Sequence, residues 1–338
     1  MANRALRAAT ALVVAAALAH PASGQSADLI VLDKIRSQAD QPGDVAFVDF
    51  ASGNVVARVP VGREPHEVAA SADHRFALVT NTGSYANPGN TLSVIDLVAH
   101  RELRRVDLGA LTEPHGVVPV GSRFLFTAEG ARVIGGYDPD RDHVDWIMGT
   151  GQDTTHMLVT ADNGATIYAT NRGSGTISIF RRSTADKGPS GPWALRSVTV
   201  CPAPEGLDLA PDGRQLWIGC RGSNEIAILD TATGAVVGRF ATHTQSLARV
   251  RFTLDGRSIL GADPAAGEIV VFDVNSHAER ARLVVGKGCE GLLMVPDGRH
   301  ALAAVTNEDN VAVIDLETLT IERRIRTGTG PDGMAWIG

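Results

Sequence analysis

From Asp28 onward the chain is written in short apolar or alternating runs separated by Gly, Pro, Asp and Asn, the pattern of β-strands joined by tight turns. No unit carries the 3.6-residue apolar stripe of an amphipathic helix. The runs recur as one phrase: a P/D-G turn, a strand ending in an xVTN-like tetrapeptide, a polar loop, a strand ending in I-D, and a strand ending near V-G. The clearest copies are Leu78 to Leu97 (LVTN, then TLSVIDL), Tyr168 to Phe180 (YATN, then TISIF) and Ala304 to Leu316 (AVTN, then NVAVIDL). Turn glycines at Gly121, Gly164, Gly213, Gly256 and Gly298 stand 43, 49, 43 and 42 residues apart. A repeat of this length built from four strands predicts the blade of a propeller.

Each strand type counts to seven. Inner strands are expected near Val68, Val117, Leu158, Leu207, Val250, Leu292 and Met334, and second strands near Leu29, Phe76, Phe124, Thr166, Gln215, Ser258 and His300. The chain opens on a second strand (DLIVLDK) and closes on an inner one (GMAWIG), so its two ends must complete one blade together. The fold class is therefore all-β: a seven-bladed β-propeller of four-stranded antiparallel blades, occupying residues 25–338 and leaving no free edge between first and last blade.

The first 24 residues have a basic start (Arg4, Arg7), an apolar run from Ala8 to Ala19, and small residues at Ala22 and Gly24. They read as a secretory signal cleaved near Gly24, which places the mature chain in the periplasm or outside the cell. No later run approaches the roughly 18 apolar residues that a membrane helix needs. The formal net charge of −7 argues against coating a nucleic acid. Three cysteines, Cys201, Cys220 and Cys289, are too few for a disulfide scaffold, and no CxxCH haem-attachment site, P-loop or dinucleotide fingerprint is present. Export makes a Cys201–Cys220 bridge chemically possible, because one residue ends an outer strand and the other ends a second strand of the following blade.

Through LVTN, YATN, AVTN, SVIDL, AVIDL and the PDG turns, the chain resembles the YVTN-repeat, YncE-like propellers and, more distantly, the seven-bladed lactonase-like propellers. The resemblance implies the fold and a channel-mouth ligand site; its members include binding proteins and enzymes alike. The chain departs from the pattern at Phe180-Arg181, which replaces the usual Asp, and at Cys220 and Asp263, which stand where the Asn of VTN is expected. The tryptophan-docking motif of quinoprotein propellers is absent. Neither quinone, haem nor nucleotide is expected.

Candidate chemistry collects in one register, the residue at which each inner strand begins: His66, His115, His156, Glu205, Ala248, Glu290 and Asp332. Seven positions filled at random from this composition would hold roughly 0.2 histidines; this register holds three, in consecutive blades. Three imidazoles and a carboxylate suit a divalent transition metal (Zn²⁺, Cu²⁺, Mn²⁺ or Fe²⁺) on His66, His115, His156 and Glu205. Equally, they suit a metal-free cluster binding a polar ligand, or merely a wet channel. Glu290 is the acid/base candidate if the site is catalytic. Asp332, Arg249, Arg172, Arg221, Glu129, Asn81, Asn171 and Asn307 are the remaining ligand-binding candidates, the arginines either as solvated ion pairs with neighbouring carboxylates or for a carboxylate or phosphate of a ligand, and the asparagines either as loop caps or as channel-facing amides. His243 lies off the register. The aspartates closing each I-D element (Asp49, Asp96, Asp138, Asp230, Asp273, Asp315) read as turn formers. Two functions stay open: small-molecule, peptide or metal binding at the mouth, and metal-assisted hydrolysis or lyase chemistry there.

Overall fold

A computed structural model of the protein describes residues 26–35, 41–183 and 193–338. The expected signal sequence and its cleavage point lie outside these residues. Twenty-eight strands form seven four-stranded antiparallel sheets. In blades 2 to 7 the four strands follow one another in the chain, from inner to outer. Blade 1 is composite: Pro331–Trp336 is its inner strand, followed by Leu29–Asp33, Pro42–Asp49 and Asn54–Arg63. Leu29 pairs with Trp336, Ile30 with Ala335 and Val31 with Met334, so the ring is closed by the chain's own ends. No helix among the described residues is long and apolar enough to cross a membrane.

The alternation of each strand sends apolar residues to both faces of its sheet, because every blade is covered by a neighbour on each side. Between blades 1 and 2, for example, Ile30, Leu32, Val45 and Phe47 pack with Val68, Ala77, Val79 and Ile95, all buried. The repeated aspartates do form turns. Asp49 accepts the N–H of Ser52, Asp96 those of Val98 and Ala99, and Asp230 that of Thr233.

One depth at the end of the second strand ties neighbouring blades together. In blade 2, Asn81 Oδ1 accepts the N–H of Gly62 from the outer strand of blade 1 (2.9 Å), while Nδ2 donates to Ser93 and Thr91. Asn171 stays within its own blade, accepting from Thr155 at the start of the inner strand (3.0 Å) and donating to Thr176 and Ser178. Where Cys220 replaces the asparagine, it forms a disulfide with Cys201 of blade 4, with Cα atoms 5.9 Å apart; where Asp263 does, it accepts the N–H groups of Gln245 and Ser246. The departures from VTN are thus substitutions of one clamp for another. The AVTN copy is the exception. Ala303 pairs with the inner-strand residue Leu292 as Val79 pairs with Val68, so Asn307 falls two positions beyond the Asn81 depth, exposed on a 3₁₀ turn.

Two outcomes are expected. Deleting the residues after Gly330 leaves blade 1 without its inner strand, and cooperative thermal unfolding should be lost; an unchanged transition would contradict closure by the chain ends. Replacing Cys201 and Cys220 by alanine should lower stability by roughly 3 kcal/mol, the scale for a closed loop of this size, with equal melting of parent and variant as the contrary result.

Candidate functional site

The entry into each inner strand has a common construction. In six blades the residue two before the rim position adopts a left-handed backbone: Glu64, Glu113, Thr154, Ala203, Gly288 and Gly330. Its carbonyl accepts the N–H of one residue at the end of the second strand, respectively Thr82, Glu129, Arg172, Arg221, Thr306 and Lys34. Directly after it the pairing slips, between Pro65 and Val68, Pro114 and Val117, Thr155 and Leu158, Pro204 and Leu207, Cys289 and Gly291, and opposite Val31 to Asp33. Such bulges re-aim a side chain, and the residues set in them are His66, His115, His156, Glu205, Glu290 and Asp332.

Three threonines fix the backbone of this arc. Thr80 donates to the carbonyl of His115 (2.7 Å), Thr127 to that of His156 (2.6 Å) and Thr170 to that of Glu205 (2.9 Å). Each hydroxyl also accepts the N–H that follows the rim residue of its own blade, from Glu67, Gly116 and Met157. One hydroxyl therefore sets the distance between two rim side chains on adjacent blades.

The three imidazoles converge. His66 and His115 have ring centroids 4.8 Å apart and His115 and His156 4.1 Å. His156 is held at both nitrogens, Nδ1 by Glu129 and Nε2 by Glu205 at 3.4 Å. Glu205 also receives Arg221 (3.0 Å) and Arg172 (3.4 Å). On the other side His66 Nδ1 lies 3.4 Å from Asp332, whose carboxylate pairs with the fully buried Lys34; Lys34 reaches Glu290 at 3.2 Å. Arg249 crosses the channel from blade 6 to pair with Glu67 of blade 2. All of these except Glu129 and Lys34, which stand behind the lining, join Met157 and Ala248 around a cavity of about 150 Å³. Beyond it the channel opens again into about 310 Å³, and Glu67, Met157 and Arg249 are the side chains common to both spaces. They form the floor of a blind pocket.

Charge states follow from this packing. Burial pushes His115 well below its usual value, with His156 adding to the effect, so His115 is neutral. Burial also opposes the charged form of His156, but Glu205 and Glu129 outweigh it and carry the imidazolium up to about 9. Burial would raise Glu129, yet the His156 imidazolium beside it holds it down at about 2; Glu205 is lowered likewise by His156 and the two arginines against its burial. Asp332 is pushed up to about 6 by burial, with Lys34 opposing. His115 Nδ1 and Asp332 Oδ1 are buried without a hydrogen-bond partner.

Most of the residues expected from sequence meet here: His66, His115, His156, Glu205, Glu290, Asp332, Arg172, Arg221 and Arg249 line the cavity and Glu129 backs it. Asn81 and Asn171 do not reach it, because their amides are consumed by the blade clamps. Asn307 is off register and His243 is exposed outside the cavity. Sequence reading missed Glu67 and Lys34. A signal existed for both. The position after the rim residue is glycine in four blades (Gly116, Gly206, Gly291, Gly333), where a Cβ would strike the next blade's backbone, so Glu67, Met157 and Arg249 stand out there. Lys34 holds the position of Glu129, Arg172 and Arg221.

No family model matches the chain and no curated protein matches it in sequence. Solved structures similar to it include the periplasmic gluconolactonase PpgL of Pseudomonas aeruginosa (TM-score 0.72, 16% identity, 92% of this chain and 99% of that one). A putative 6-phosphogluconolactonase of Bacteroides fragilis matches with TM-score 0.73 and 13% identity, over 93% and 99%. Hydrazine synthase of Kuenenia stuttgartiensis matches with TM-score 0.68 and 19% identity, over 80% and 89%. At these identities the likeness is one of fold, shared with seven-bladed lactonase-like propellers.

A pH dependence of stability follows for the metal-free protein. His156 has its folded pKa above the unfolded value of 6.5, so its contribution is complete below about 6.5 and is lost as pH rises through about 9. His115 has the opposite sign: its contribution is present above 6.5 and lost as pH falls below that value. Relative to a His156→Gln variant, the parent should lose roughly 3 kcal/mol between pH 6 and pH 9.5. Denaturant melts showing a constant difference across that window would mean that His156 is not a buried imidazolium.

Proposed function

We propose that the channel mouth holds a divalent transition-metal ion on His115, His156 and Glu129, beside which a small polar molecule binds. The observation that carries this reading is that these three residues offer ligand atoms all within 4.8 Å of one another, one of them being a neutral histidine whose buried Nδ1 has no partner. Once His156 gives up its proton on metal binding, two imidazoles and a glutamate are a donor set suited to Zn²⁺, with Cu²⁺, Mn²⁺ and Fe²⁺ as competitors. Glu205 and His66 flank the set and would complete or orient it. Such an ion supplies a Lewis acid toward a carbonyl or a bound water.

The rest of the site supports a ligand that is small and polar. The pocket is narrow and lined mainly by imidazole, carboxylate and guanidinium groups, which suits a small polar molecule. Arg172 and Arg221 at the entrance suit a carboxylate or phosphate. The likeness to a gluconolactonase makes a small lactone or its hydroxy acid the class to test first, Glu290 then serving as acid/base beside Lys34. Export to the periplasm or beyond belongs to the same proposal; the Cys201–Cys220 bridge supports it, since disulfides persist in oxidising compartments.

A second reading has its own observation. His156 sits between Glu129 and Glu205 with both nitrogens occupied, which suits a metal-free pocket organised by a buried imidazolium.

Metal analysis of protein purified without a histidine tag separates the two. The metal reading expects close to one equivalent in the parent and none in His115→Ala. It also expects Zn²⁺ at a hundredfold excess over Kd to stabilise the parent by about 2.7 kcal/mol, a gain absent from the folded variant. A metal-free parent that Zn²⁺ does not stabilise, but that gluconate or glucono-δ-lactone does, would favour the second reading. Binding undiminished in a His66, His115, His156 triple alanine variant would move the site elsewhere.

A further inference from the structure

At the end of the ring where the inner strands finish, away from the channel mouth, a cleft of about 320 Å³ lies between blades 3 and 4. Two of the chain's four tryptophans line it. Trp146 comes from the outer strand His143–Gly149 of blade 3, and Trp193 opens the outer strand Trp193–Thr199 of blade 4. Their ring centroids are 6.0 Å apart at an interplanar angle of 33°, and both indoles are half-buried.

The backbone makes room for this pair. Gly136 faces Trp146 across the sheet, and a Cβ there would come within 2.7 Å of the indole Nε1. Gly164, in the turn that floors the cleft, has φ +83° and would set a Cβ 2.5 Å from Val120, so both its backbone and its surroundings require glycine. The inner faces of the indoles rest on the interblade core of Leu125, Ile134, Leu158 and Ile167. Their cleft-facing edges are bordered by Arg123, Asp162, Asn163 and Arg182. Arg123 pairs with Asp145 and Asp138, and its Nε is buried without a hydrogen-bond acceptor.

We infer that this cleft is a saccharide-binding site. Flat indole surface next to planar guanidinium, carboxylate and amide groups is the chemistry that recognises a pyranose, whose C–H face stacks on an aromatic ring while its hydroxyls exchange hydrogen bonds at the rim. The cleft carries charges of both signs, Arg123, Asp162 and Arg182, and Arg123 is already paired with Asp138 and Asp145, which favours a neutral, hydroxyl-rich ligand over an anion. The volume falls at the lower end of the range for small-molecule pockets, roughly 300–1,000 Å³, as one or two sugar units require. The site is independent of the channel mouth and of any metal there.

Intrinsic tryptophan fluorescence reports on this site: Trp217 is fully buried elsewhere, and a contribution from Trp336, half-buried on the inner strand of blade 1, is separated by the Trp193→Ala variant. Maltose, cellobiose and N,N′-diacetylchitobiose would each be titrated into the full-length protein. At least one is expected to produce a saturable spectral change. That change should vanish in Trp193→Ala, weaken at least tenfold in Arg182→Ala, a substitution at an exposed position that leaves the fold intact, and persist unaltered in His115→Ala. Absence of a response to all three sugars in the parent overturns the inference, as does a response that survives both cleft variants.

Discussion

The carbonyl of a rim residue such as His115, His156 or Glu205 is a buried acceptor at a junction between blades, where its own sheet has slipped register and offers no ladder partner. It must be satisfied from the neighbouring blade, since an unpaired buried carbonyl costs about as much as a lost hydrogen bond. Thr80, Thr127 and Thr170 supply that bond for His115, His156 and Glu205. The spacing of the histidine arc is therefore a backbone property, inherited from the angle between blades. The side chains that do the chemistry hang from an already rigid frame.

On that frame the charges form a continuous belt. Arg221 and Arg172 neutralise Glu205, Glu205 and Glu129 clamp His156, and Asp332 lies between His66 and Lys34. Burial of isolated charges would be prohibitive, and here each one is matched. In the metal-free protein the belt holds two imidazoles of opposite character a ring's width apart, a neutral His115 and a charged His156. That separation arises from position alone: His156 has carboxylates at both nitrogens, and His115 is enclosed by other rings.

The floor of Glu67, Met157 and Arg249 gives the belt a direction. It separates the mouth from the rest of the channel, so that whatever binds must enter and leave on the same side. The pair spans blades that are not neighbours, which makes it a strut across the ring as well as a partition. The tryptophan cleft on the far side shares no side chain with this assembly.

The sequence by itself determined the architecture, because a strand period of two, turn glycines at near-constant spacing and an unpaired strand type at each end admit one closed ring of seven. It also determined the depth of the rim register, since a repeat places equivalent residues at equivalent height, and that is why most of the site was legible from His66, His115, His156, Glu205, Glu290 and Asp332. Only the tertiary structure decided which polar residues at that depth face the channel. Asn81 and Asn171 match the motif yet turn sideways into the next strand, and the AVTN copy hides a two-residue offset that moves Asn307 onto the surface. Glu67 and Lys34 enter the site through partners 182 and 256 residues away. Contacts of that range depend on how the ring closes, and no local pattern encodes the angle at which one blade meets another.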